Sequence, residues 1–179
     1  MRRCFSILLP FAALLLLTTC EPVKLPPETQ EGANTFGCRI NGKKWVPTGK
    51  RNTFNGGTIP GVNGGFFKIG LDTTFYLYIR AYKDEESIQL WARNVTKTGT
   101  YELKYLTETI PNALRPLNYG AVHFGDEYVT TNVYTGWVNV TKADTLTGIV
   151  AGTFEFAAVN RRDPSKTLRV TEGRFDVKP

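Results

Sequence analysis

A surplus of 22 Lys+Arg over 16 Asp+Glu, a formal +6 spread over 179 residues with no run of five basic side chains, argues against a nucleic-acid surface. A single histidine and three cysteines leave too few ligands for a zinc site of ordinary type and no disulfide framework.

The N-terminus reads MRRCFSILLPFAALLLLTTC. Arg2-Arg3 form a basic tip, and the apolar core from Phe5 to Leu17 is about 13 residues, short of the roughly 20 that a spanning helix needs. A positive end, apolar middle and small polar exit form a secretory signal over residues 1–19. Leu17-Thr18-Thr19-Cys20 resembles the lipobox of bacterial lipoproteins, although Thr19 stands where Gly, Ala or Ser is usual. In such a protein Cys20 is diacylated and becomes the first residue, and two or three acyl chains anchor it stably to a membrane. The alternative is an ordinary cleaved signal, which leaves a Cys20–Cys38 bridge open. Without Arg2 and Arg3 the 22 basic residues become 20 against 16 acidic ones, a formal +4.

Residues 20–34 carry three prolines, several charges and no periodicity, and read as an extended tether. A single β domain is expected over 35–179. In TFGCRINGKKWVP, two short strands flank Asn41-Gly42, the pair favoured in a type I′ hairpin turn. Phe36, Cys38 and Ile40 share one face, with Trp45 joining it, so Cys38 reads as a buried small hydrophobe. TGKRNTFNGGTIPGVNGG has no strand pattern and reads as a long exposed loop.

Strands then follow in quick succession: FFKIGL and TTFYLYIRAY meeting near Asp72, SIQLWARNV, and TYELKYL. TETIPNALRPLN is less regular, with room for a helical turn. YGAVHFG, YVTTNVYTGWVNVTK, LTGIVAGTFEFAAVN and TLRVTEGRFDV complete about ten strands with little helix. The fold class is all-β, an antiparallel β-sandwich or partly open barrel. Phe175 and Val177 are out of phase with Val170, so a bulge near Gly173 is expected to keep both sets inside.

Catalytic raw material is sparse. Beyond residue 20 there are two serines, Ser87 and Ser165, and His123, with no nucleophile-elbow pattern. Asp84-Glu85-Glu86 and Asp126-Glu127 read as solvated turns, without the spacing of a calcium loop. No catalytic residue, metal site or cofactor is assigned. Tyr76, Tyr78, Tyr82 and Trp91 fall on the polar side of neighbouring strands. They are the candidate platform for a glycan, peptide or envelope-protein partner, or else they pack beneath a second layer.

The blocks TFGCRINGKKWVP and TLTGIVAGTFEFAAVNRRDPSKTLRVTEGRFDV resemble those of a family of small Bacteroidota lipoproteins of unknown function. Thr35 to Trp45 match its opening hairpin, and Gly152 to Phe156, Asn160, Val170, Thr171 and Gly173 to Asp176 match its closing block. The resemblance implies a β-rich cell-envelope protein, an outer-membrane lipoprotein, and brings no catalytic residues. For such a host, Asp72-Thr73-Thr74 and Asp144-Thr145-Leu146 resemble O-glycosylation motifs, making Thr73 and Thr145 candidate sites. The expected role is a non-catalytic binding or structural one. The alternative is a hydrolase or carbohydrate-acting enzyme using two carboxylates across a cleft.

Overall fold

Asn41 and Gly42 take φ of 49° and 77°, the left-handed pair that turns a type I′ hairpin between β1 (Thr35–Ile40) and β2 (Lys43–Trp45). The computed structural model describes residues 24–49, 57–68, 75–104 and 118–179, so Cys20, Thr73, the Asp72 turn and the 107–117 segment lie outside the described residues. Among the described residues there are nine further strands and no helix. They are β3 (Val62–Lys68), β4 (Phe75–Lys83), β5 (Glu86–Arg93), β6 (Gly99–Leu103) and β7 (Tyr119–Phe124). After these come β8 (Asp126–Val129), β9 (Gly136–Ala143), β10 (Val150–Asn160) and β11 (Thr167–Val177).

The strands form one antiparallel sheet in the order β2-β1-β11-β10-β8-β7-β5-β4-β3. β10 is long enough to hold two neighbours on the same edge. Its residues 150–156 pair β9, which in turn pairs β6, while Val159 and Asn160 pair β8. The sheet curls into a half-barrel, bringing β6 near β5 and β7 and β3 near β11. Its concave side holds the core, built by period-two alternation from Phe36, Cys38, Trp45, Leu77, Ile79, Ile88, Leu90, Leu103, Val138, Phe154, Val170 and Phe175. Phe36 packs edge-on to Trp45 with ring centroids 6.1 Å apart, and lies 5.0 Å from Phe154. Burial keeps the Trp45 indole dry except for Nε1, which donates to Glu86 Oε2 at 2.6 Å.

The expected bulge is present. Phe154 pairs Gly173 but Phe156 pairs Val170, and on the other edge Gly37 pairs Arg174 but Arg39 pairs Thr171. Glu172 takes φ of 51° inside this extra step. The phase shift turns Leu168 and Val170, and also Phe175 and Val177, into the core.

Two strand expectations need correction. The exposed-loop reading of TGKRNTFNGGTIPGVNGG fails at its end, because Val62–Gly65 belong to β3 and Gly64 and Gly65 simply lack the side chains that reveal alternation. Gly64 has φ of 151°, and a Cβ there would lie 2.2 Å from the Tyr78 carbonyl oxygen. YVTTNVYTGWVNVTK is not one strand but β8 and β9. Thr131 breaks the run: its Oγ1 accepts from the Val133 and Tyr134 amides at 3.2 and 3.0 Å, and its own amide donates to the Tyr134 carbonyl at 2.8 Å.

Residues 24–34 contain no strand and lie along the sheet. Asp176 holds them. Its fully buried carboxylate accepts from Thr29 Oγ1 at 2.6 Å and from the amides of Glu31, Gly32 and Ala33 at 2.9, 2.8 and 3.2 Å. Lys142 Nζ donates to the Gln30 carbonyl at 2.8 Å, and Arg174 Nη1 to the Pro26 carbonyl at 3.3 Å.

Burial alone would push the Asp176 pKa up, but the four hydrogen bonds to the ionised form outweigh it and hold the carboxyl below its ordinary range. A depressed carboxylate adds stability that is complete above the unfolded value near 3.9 and is lost as pH falls through the lower native value. Asp176→Asn turns an amide NH₂ toward backbone donors and is expected to cost about 2–4 kcal/mol at pH 7. Urea unfolding at pH 7 and at pH 3 checks this: the gap between wild type and variant should be wide at pH 7 and narrow in acid.

Candidate functional site

Alternation that sends Leu77, Ile79 and Ala81 inward sends Tyr76, Tyr78, Arg80 and Tyr82 to the convex side, and register with β5 and β7 orders them into rows. Phe67, Tyr76 and Arg93 form the first row across β3, β4 and β5. Tyr78, Trp91 and Tyr119 form the second. Arg80, Gln89, Ala121 and Val129 form the third, and Tyr82, Ser87, His123 and Glu127 the fourth. Rows are about 7 Å apart and strands about 4.8 Å, so the face grades from aromatic to charged over roughly 20 Å.

Three of the four candidate platform residues meet. Trp91 lies 5.7 Å from Tyr76 and 5.5 Å from Tyr78 between ring centroids, and Phe67 extends the cluster at 6.3 Å from Tyr78. Tyr78 and Trp91 are half-buried and Phe67 is 39% exposed, whereas Tyr76 is fully buried, with Arg93 over its ring at 5.8 Å. Tyr82 stands two rows from Tyr78, its half-buried ring carrying the Arg80 guanidinium at 5.0 Å. Tyr119, Ala121 and Val129 form a second small apolar cluster with Trp91 packed on it. Gln89 Nε2 donates to the Tyr119 hydroxyl, and burial first, then Tyr78 and Glu127, push the Tyr119 pKa up to about 12, so the phenol stays protonated.

The charged end opens into two adjoining hollows. A cleft of about 100 Å³ is lined by Arg80, Ser87, Gln89, Ala121, Val122, His123 and Glu127. A wider groove of about 460 Å³ shares His123 and Glu127 and adds Gly125, Asp126, Arg161 and Arg162. Arg161 Nη1 donates to Glu127 Oε2 at 3.0 Å in an exposed ion pair. Asp126 and Glu127 are neighbours on β8 rather than a pair facing each other across the groove.

Sequence reasoning missed that Ser87, His123 and Glu127 share a row, because only cross-strand register unites residues 40 positions apart. No hydrogen bond joins Ser87 to His123 or His123 to Glu127, whose carboxylate is taken by Arg161. Ser165 lies elsewhere, its Oγ donating to Asp163 Oδ1 at 2.6 Å. Among the described residues no three of His, Cys, Asp and Glu gather closely enough to hold a metal ion. Thr145 is exposed in a turn whose Asp144 Oδ1 accepts from the Leu146 and Thr147 amides at 2.9 and 3.0 Å. These bonds, led by Thr147, hold the Asp144 pKa below its ordinary value.

A curled antiparallel sheet whose convex face grades from aromatic to charged defines an all-β protein. The chain belongs to the family described as Domain of unknown function (DUF6252), which matches residues 66–179 and so takes in the whole of this face from Phe67 onward. No curated protein and no solved structure matches the chain.

Cys38 is fully buried, and burial pushes its thiol up to about 12. Alkylation at pH 8 located by peptide mass should label Cys38 at least on the order of 100-fold more slowly in the folded chain than in denaturant.

Proposed function

We propose that this chain is a lipid-anchored protein of the bacterial cell envelope, held at the outer membrane through Cys20, whose β domain acts as a non-catalytic binding module. The anchor rests on the short apolar run ending in Leu17-Thr18-Thr19-Cys20 and on the resemblance to Bacteroidota lipoproteins. The binding role rests on one observation above all: Trp91 and Tyr78 sit edge to face, half-exposed, in the middle of a sheet face whose neighbours are Arg80 and Gln89. Large amphipathic rings with fixed geometry and polar neighbours are what ligand surfaces use to combine contact area with orientation. A carboxylate-dependent hydrolase is the weaker reading. The acids lining the groove are adjacent on one strand, and one of them is consumed by Arg161.

Intact-mass analysis of the N-terminal peptide from fractionated native cells tests the anchor. Wild type should carry a diacylated or triacylated Cys20 and pellet with membranes, and Cys20→Ser should lose both. An unmodified N-terminus on a soluble chain overturns the anchor. The face is tested with the double variant Tyr78→Ala/Trp91→Ala against a panel of soluble glycans and peptides. Binding should fall at least tenfold while the thermal midpoint still shows a cooperative fold. Unchanged binding overturns the platform.

A further inference from the structure

Among the described residues, the buried side-chain atoms without a hydrogen-bond partner are concentrated on this face, and all of them can donate. Tyr76 Oη, Arg80 Nε, Trp91 Nε1 and Arg93 Nε belong to its first three rows. Only Asn160 Nδ2 and Arg174 Nε lie elsewhere. Unpaired buried donors are costly, and, with Tyr76 sealed in packing, the three on half-buried Arg80, Trp91 and Arg93 mark a face short of acceptors. An occupant that satisfies this face therefore brings oxygen acceptors.

Charge narrows the occupant further. The cleft's lining brings one cation, Arg80, and one carboxylate, Glu127, which Arg161 holds in an ion pair on the groove side; among the described residues no carboxylate forms an ion pair with Arg80, whose guanidinium stands beside Gln89 and Ser87. A guanidinium fork of this kind matches a carboxylate. Backbone pairing keeps the commonest peptide mode away from the two central rings. β4, β5 and β7 are each paired on both edges, so an extended peptide has no strand edge beneath Tyr78 and Trp91 and meets one only at the outer side of β3. Recognition at Trp91 and Tyr78 therefore runs through side chains, by flat contact on the two rings and by directed bonds at Arg80.

We propose that this face is a binding site for a carboxylate-bearing saccharide: a sugar ring packs against Trp91 and Tyr78, and its carboxylate enters the Arg80–Gln89–Ser87 cleft. Continuing residues of the glycan run into the wider groove beside His123 and Arg162. The inference rests on the binding-module reading and adds the ligand class to it.

The test uses the full chain in detergent micelles, titrated with a trimer of galacturonic acid and with the neutral trimer of galactose in the same linkage. The acidic trimer should bind at least tenfold more tightly, and raising salt should shrink that difference. Arg80→Gln should abolish the preference between the two trimers. Arg80→Lys, which keeps the charge and loses the fork, should recover only part of it, with thermal melting reporting the fold of both. Equal affinity for the two trimers, or a preference that survives Arg80→Gln, overturns the acidic-saccharide assignment while the platform stands. Binding of neither trimer, by a chain that holds some other ligand in a Trp91-dependent way, overturns the saccharide assignment alone. Loss of Trp91 dependence for every ligand overturns the platform reading with it.

Discussion

Everything in this sheet depends on the extra residue in β11 at Thr171–Gly173. Period two is rigid: without a shift, the strand could place either Leu168 and Val170 or Phe175 and Val177 inside, never both. The bulge lets both pairs enter the core, and because it is read on both edges it also bends β1 and β10 around it. It has a second consequence. Asp176, between the inward Phe175 and Val177, must face out, and there it meets residues 29–33. One backbone irregularity thus joins the core, the curl of the sheet and the seating of the N-terminal segment.

The convex face follows from the opposite property, unbroken alternation. β3, β4, β5 and β7 hold register without a shift through the rows that matter, so each outward residue has a fixed lateral neighbour. That regularity turns four aromatic rings into a continuous strip and then, two residues further along each strand, into a row of Arg80 and Gln89, with Ser87 one row beyond. Tyr76 shows the cost of position. At the aromatic end it is wholly buried beneath its neighbours and serves packing, while Tyr78 and Trp91, one row along, keep part of their faces open.

Much of this was legible in the sequence wherever alternation was carried by side chains. The Asn41-Gly42 hairpin, the core faces of β4 and β5, and the need for a bulge near Gly173 could all be read from single strands, because each is a local property. β3 was illegible in its first half because Gly64 and Gly65 erase the pattern while keeping the backbone extended. The break between β8 and β9 was hidden for the opposite reason. Threonine, valine and tyrosine in 128–135 have strand propensity throughout, and only the Thr131 hydroxyl's bonds to the next turn decide otherwise.

The candidate site divides along the same line. The aromatics of β4 and β5 were visible because the two strands are consecutive and pair by a short turn at Asp84-Glu85, so their outward residues align from sequence alone. His123, Glu127, Arg161 and Arg162 were not, since they reach the face through β7, β8 and the end of β10, and their meeting is set by pairings of distant segments. A sequence reading weighs each polar residue against its neighbours in the chain, where His123 is an isolated strand residue and Glu127 a turn acid. In the sheet, Glu127 pairs with Arg161 while lining the same cleft as Arg80. The make-up of this face is accordingly a property of register: it is written by which strands lie side by side, and a slip of one residue of β7 against β5 would turn Tyr119, Ala121 and His123 to the other side of the sheet.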